Sequence, residues 1–203
     1  MGKQKTYSNF KYEDLEGLNL NVELSKLFKD AKQLEPSDWL LLSLHKSQGI
    51  PRLTEKSKSE LYVSPILVEL RDRNPTAFTF FSGYSFDVDK ERGLKGHCDF
   101  LISTNYNSPF IEAPVLAIVE AKRDDIEMGI PQCIAEMYAA QLFNEKKNKP
   151  IKNIFGAVTN GTGWLFLKLE NKTVLQDITE YSTQNLPELL GVLQEIIDFY
   201  KKK

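Results

Sequence analysis

Short apolar runs separated by turn residues fill the middle of the chain, and segments of helical period flank them. Residues 76–88 are rich in aromatics and threonine (Thr76, Phe78, Thr79, Phe80, Phe81, Tyr84, Phe86) and predict a strand. A charged turn over 87–96 leads to two further apolar runs, 97–103 and 115–122, parted by a loop around Asn105, Asn107, Ser108 and Pro109. Strands are also predicted at 154–159 and 164–169, on either side of the hairpin signal Asn160-Gly161-Thr162-Gly163, with an edge strand at 173–178.

The helical segments carry their own start signals. Ser37 is placed to cap a helix over 37–46, and Thr54 to cap a longer one in which Tyr62, Ile66 and Leu70 recur every four residues as a packing stripe. Glu55 lies seven residues before Tyr62 and eleven before Ile66, so it is expected on the stripe and facing inward, with Glu60 held in reserve on a neighbouring face. Pro65 predicts a kink or a division of this helix. Another helix is predicted from Pro131 to about Glu145, and an amphipathic one over 186–200. Residues 15–34 have a partly helical spacing from Val22 onward, whereas 1–12 show no period and read as a loose end. On this reading residues 1–50 are a helical extension packed on an α/β core formed by 51–203.

Composition narrows the setting. At 203 residues, with 41% hydrophobic and 27% charged positions, the chain can bury one substantial core. No apolar run approaches the length of a membrane span, and the segment Met1-Gly2-Lys3-Gln4-Lys5 lacks the apolar stretch of a signal peptide, so a cytoplasmic protein is expected, with Cys98 and Cys133 as thiols. The net charge of −2 does not favour nucleic-acid binding by the whole surface, but basic clusters can still edge a groove. Two are present: Lys46, Arg52, Lys56 and Lys58, and then Lys146, Lys147, Lys149 and Lys152; Lys56, Lys58, Lys146 and Lys147 are the chosen nucleic-acid contacts. The terminal Lys201, Lys202 and Lys203 read as a solvated tail.

The candidate chemistry lies in Gly96-His97-Cys98-Asp99-Phe100 and, twenty residues beyond Asp99, in Glu120-Ala121-Lys122 at the end of the run that starts at Val115. Side chains alternate along a strand, so Glu120 and Lys122 share a face, and Leu116 and Ile118 are expected on it too. A carboxylate and an ammonium at the end of a buried face are costly unless compensated, and a divalent metal with a nucleophilic water is one compensation. This points to metal-assisted phosphodiester hydrolysis. His97, Cys98 and Cys133 lack zinc-site spacing, and the 160–163 turn lacks the lysine and the following helix of a phosphate loop. Trp164 after that turn reads as hairpin packing, with base stacking as the functional alternative.

These residues resemble the PD-(D/E)xK nuclease superfamily, whose core motif is an Asp, a variable gap, and Glu-x-Lys. The usual proline is missing, since His97-Cys98 precede Asp99. Leu53-Thr54-Glu55, followed by Pro65-Ile66-Leu67, is similar to the first helix of the variant found in type I restriction subunits and related bacterial nuclease domains. Gln132 and Glu136 are similar to the polar helix positions that lean over the active site there. The likeness covers roughly residues 50–170 and implies a three-layer α/β/α restriction endonuclease-like core with a central mixed sheet of about 4–6 strands.

It also implies roles. Asp99 and Glu120 would ligate Mg²⁺ or Mn²⁺ with the Ala121 carbonyl, and Glu55 would reach the metal directly or through water. Lys122 would orient or help deprotonate the attacking water, and Gln132 and Glu136 would hold a water, the lysine or a phosphate. His97 is either a water-mediated neighbour of the metal or a plain polar residue at a strand's start. The expected partner is DNA, with a second copy of the chain or a restriction-system subunit as protein partner. The alternatives are an inactive nuclease-fold module that binds nucleic acid or a restriction or mobile-element partner, and an interaction module in which the Glu120–Lys122 pair is incidental.

Overall fold

The structure, a computed structural model, describes residues 5–201; the first four residues and the Lys202–Lys203 part of the expected tail lie outside them. Helix α1 (Tyr12–Glu16), strand β1 (Asn21–Ser25) and helix α2 (Asp38–Lys46) come first. A helical segment follows, made of α3 (Glu55–Lys58), a wide π turn (Ser59–Val63) and α4 (Ser64–Arg73). Strands β2 (Thr79–Ser85), β3 (His97–Ser103) and β4 (Val115–Ala121) lead to helix α5 (Ile130–Lys146). Strands β5 (Asn153–Thr159), β6 (Gly163–Glu170) and β7 (Thr173–Ser182) and helix α6 (Leu186–Lys201) complete the chain.

The seven strands form one mixed sheet in the order β1-β7-β6-β5-β4-β3-β2. Its two parallel pairings are β4 with β5, joined through α5, and β1 with β7. Helix α5 and the N-terminal Tyr7, Phe10 and Leu15 cover one face. The other face lies under α4 and α6, through Ile66, Leu67, Leu70, Leu189, Leu193 and Ile197. The fold is therefore α/β with three layers, and its sheet has seven strands where 4–6 were expected.

The extra strands come from segments whose pairing depends on distant chain. Residues 21–25, expected to continue a helical spacing, form β1 because β7 would otherwise leave a row of unpaired backbone groups. Strand β7 is thus internal along 173–177, and the first fifty residues contribute a strand as well as helices. Residues 5–12 are not loose: Tyr7 is 1% exposed, and its hydroxyl donates to the Phe86 carbonyl at 2.7 Å.

Two irregularities shape the site. Ile102 pairs with Ala117 but Ser103 with Val115, so Leu116 is an extra residue and β4 carries a bulge there. As a result Leu116 joins the α6 side of the core and Ile118 the α5 side, and Leu116 does not share the Glu120 face as the alternation predicted. The Asn144 side chain secures the irregular start of β4, accepting from Val115 N at 2.8 Å and donating to its carbonyl at 2.8 Å.

The second irregularity is the π turn before Pro65. Proline has no N–H for the helical ladder, and the turn preceding it is widened. Thr54 and Ser37 cap their helices as predicted, accepting from Ser57 N at 3.1 Å and from Leu40 N at 3.2 Å. Among the described residues no helix is long and apolar enough to cross a membrane.

Candidate metal-dependent hydrolytic site

The site forms where β3 and β4 part. Their pairing extends to Phe100 opposite Val119; one step further, the Asp99 carboxylate replaces the backbone as acceptor and takes the Ala121 amide hydrogen at 2.8 Å. Strand β4 stays paired to β5 on its other side, and the Lys122 amide donates to the Thr159 carbonyl at 2.7 Å. Glu120 and Lys122 both project toward α5. Lys122 Nζ donates to Glu120 Oε1 at 2.7 Å and to Gln132 Oε1 at 2.9 Å, while Gln132 Nε2 donates to Glu136 Oε1 at 3.0 Å. Strand β4 and helix α5 thereby converge on one ammonium.

Glu120 is 2% exposed, and its Oε2 has no hydrogen-bond partner among the described residues. Burial, and then the negative charge of Asp99, push its carboxyl up to about 8. Asp99 is half-buried; burial raises its carboxyl, against the lowering effects of the Ala121 amide and Lys122, and Glu55 adds to the rise. Burial alone would lower Lys122, but Glu120 first, then Glu55 and Asp99, hold its ammonium above the ordinary lysine value. The cluster therefore holds more acid than its one lysine can neutralise.

Glu55 is exposed, not turned inward, because the π turn between it and Ile66 breaks the straight-helix phase on which that expectation rested. It remains close enough to act electrostatically on Asp99, Glu120 and Lys122. Glu60 is exposed and lies 3.8 Å from Lys56. His97 opens β3 opposite Ser85, exposed, and no hydrogen bond joins it to the cluster among the described residues.

The basic candidates separate. Lys58 donates to the Arg123 carbonyl and lies 3.5 Å from Asp124, so it sits beside the loop that follows Lys122. Lys56 is exposed on the same helical segment. Lys146 and Lys147 end α5, about 21 Å from Gln132 at 1.5 Å per residue, where Lys146 donates to the Val88 carbonyl at 2.7 Å. They lie at the opposite end of α5 from Gln132. Trp164 is wholly buried against Phe166, which removes the base-stacking alternative.

One residue that matters was not singled out from the sequence. A Cβ on Gly129 would stand 2.5 Å from Val158 Cγ1 and 2.8 Å from Lys122 Cγ, so the lysine stem passes over a backbone with no side chain. Only its place just before the Ile130-Pro131 helix start could have drawn attention to it.

Among the described residues no three His, Cys, Asp or Glu side chains cluster tightly enough to cage an ion by themselves. The donor set at hand is hard: two carboxylates, one with a buried oxygen that has no hydrogen-bond partner among the described residues. It fits a divalent cation that completes its shell with water, such as Mg²⁺ or Mn²⁺. No family model and no curated protein matches the chain.

Proposed function

We propose that this protein is a member of the PD-(D/E)xK superfamily and hydrolyses phosphodiester bonds in DNA with Mg²⁺ or Mn²⁺. The observation that carries this reading is Glu120: a buried carboxylate with one oxygen held by Lys122, the other without a hydrogen-bond partner among the described residues, and Asp99 beside it. Asp99 and Glu120, with the Ala121 carbonyl, would hold the cation, and Glu55 would complete the acidic rim. When bound, the metal would supply Lewis acidity at the phosphate and lower the pKa of the attacking water.

The chain's own groups divide the remaining work. Lys122 enters as an ammonium, since the surrounding acids hold it charged, so its part is to orient the water and to offset the charge that builds on the phosphate. Gln132 keeps the ammonium in place from the α5 side. Arg123, exposed in the loop after Lys122, would offer cationic surface for the neighbouring phosphates of the strand, and Lys58, mostly buried and hydrogen-bonded to the Arg123 carbonyl, would hold that loop.

The test is cleavage of plasmid DNA by purified wild type and Lys122→Ala in Mg²⁺ and in Mn²⁺. Cutting by wild type that the substitution removes supports the reading; equal cutting by both assigns the activity elsewhere. No cutting by wild type, together with DNA binding that Glu120→Gln leaves unchanged, replaces the reading with the inactive nuclease-fold alternative.

A further inference from the structure

Behind Lys122 lies a carboxyl group that the hydrolytic step does not use. Glu136 sits on α5, one turn beyond Gln132, and is 0% exposed. Its Oε1 accepts from Gln132 Nε2 at 3.0 Å, while its Oε2 has no hydrogen-bond partner among the described residues. The network's ammonium, on Lys122, is directed to Glu120 and Gln132 instead. On the sheet side the Cys98 thiol lies against Glu136, and Cys133, one turn earlier on α5, is buried beside it. A buried carboxyl in such company needs a reason to be there.

The polarity of the Gln132 amide supplies one. Its oxygen must face Lys122, because its NH₂ end would oppose the ammonium donor for donor. The NH₂ end is then turned into the closed space between α5 and the sheet, where a donor without an acceptor is costly. Residues four apart on a helix share a face, so the side chain at 136 is the one placed to accept it. An apolar side chain there would leave the amide either unpaired or swung away from the lysine.

We propose that Glu136 is a positioning residue that locks the Gln132 amide and, through it, holds the Lys122 ammonium against Glu120. Burial first, and then the charge of Glu120, push the Glu136 carboxyl well above its ordinary range; a glutamine at 136 keeps the acceptor oxygen that the Gln132 amide needs. The consequence for cleavage rests on the hydrolytic reading above; the locking of Lys122 does not.

The test therefore needs a readout that works without cleavage. Amine-directed acylation of the full-length, metal-free protein, followed lysine by lysine by mass spectrometry, reports how firmly Lys122 is held, with Lys56 as an exposed internal control. Glu136→Leu should raise Lys122 labelling about tenfold, in the range lost when a supporting partner of a site residue is removed, and leave Lys56 unchanged. Glu136→Gln should keep the wild-type pattern, Gln132→Leu should reproduce the leucine variant, and the double variant should label no faster than Gln132→Leu alone.

Lys122 labelling equal in wild type and a folded Glu136→Leu overturns the proposal, as does a double variant that labels faster than Gln132→Leu alone. If Glu136→Leu does not fold, Glu136→Gln decides: wild-type labelling supports the lock, and labelling as fast as in Gln132→Leu removes it. Plasmid cleavage by the same proteins separates the two claims. Labelling that depends on residue 136, with no cutting by wild type, sinks the hydrolytic reading and leaves this one standing. Where wild type cuts, Glu136→Leu should lower kcat about ten- to a hundredfold with KM unchanged.

Discussion

The Asp99 carboxylate accepts the Ala121 amide hydrogen at 2.8 Å at the step where β3 and β4 cease to pair. One side chain thus does two things: it closes the backbone ladder at the mouth of the site and sets a negative charge beside Glu120. The two roles can be separated. Asp99→Asn keeps an acceptor for Ala121 and removes the charge, so it should melt close to wild type and fail to bind Mn²⁺ by calorimetry. Asp99→Ala loses both, and should in addition lower the urea-unfolding free energy by about 1–3 kcal/mol.

Lys122 is bound by Glu120 and Gln132, so replacing it tests catalysis and metal binding separately. In Lys122→Ala, Asp99 and Glu120 keep their positions on the strands, and Mn²⁺ affinity should survive. Cleavage should fall about 10²–10³-fold, the range for loss of one donor that stabilises developing charge. Mn²⁺ binding that disappears with the lysine would remove the division of labour proposed for these residues.

The pH dependence follows from Glu120. Burial and Asp99 raise its carboxyl from the ordinary 4.5 to about 8, so in the metal-free protein its contribution to stability is full below 4.5 and is lost as pH rises through 8. A divalent cation held there, as proposed, would bind the ionised form and would have to displace that proton. Mn²⁺ affinity should therefore rise up to about tenfold per pH unit toward pH 8 and level off above it, with proton release visible in buffers of different ionisation enthalpy. Affinity that is flat across this window would mean that Glu120 does not ligate.

At Gly129, the steric test is local. A methyl group there meets Val158 and the Lys122 stem at 2.5 Å and 2.8 Å, so Gly129→Ala should destabilise the fold by about 1–3 kcal/mol as an overpacked position. The same contact should displace Lys122, so that metal-free Lys122 reacts faster with amine reagents. Thermal melting and per-lysine labelling measure the two effects.

What could be read from the sequence, and what could not, divides along one physical line. Strand alternation put Glu120 and Lys122 on one face, cap chemistry marked Ser37 and Thr54, and Asn160-Gly161 marked the hairpin, because each depends on residues close in the chain. The bulge at Leu116 depends on Asn144 and on the register with β3; β1 depends on an edge supplied by β7, some 150 residues later. Glu55 was misplaced for a subtler reason: one wide turn before Pro65 changes the phase of every residue preceding it. The far placement of Lys146 and Lys147 follows only once Gln132 fixes which end of α5 meets the sheet's acidic end.

Another buried carboxylate, remote from the candidate site, has the opposite pH behaviour. Glu69 is 3% exposed on α4, where its Oε1 accepts from Ser37 N at 3.0 Å and from Arg73 Nε at 2.8 Å, joining α2 to the core. Burial alone would raise its carboxyl, but the Ser37 hydroxyl, Arg73 and the Ser37 amide together hold it below the ordinary 4.5. Its stabilisation is thus present above 4.5 and is lost as pH falls through the lower folded value. Glu69→Gln should cost about 1.5–3 kcal/mol at neutral pH, the range for hydrogen bonds to a charged group. The gap between wild type and variant should narrow in acid, so urea unfolding at pH 7 and pH 3 measures both points. A gap that stays constant between the two would mean that the charge on Glu69 does not hold α2 to the core.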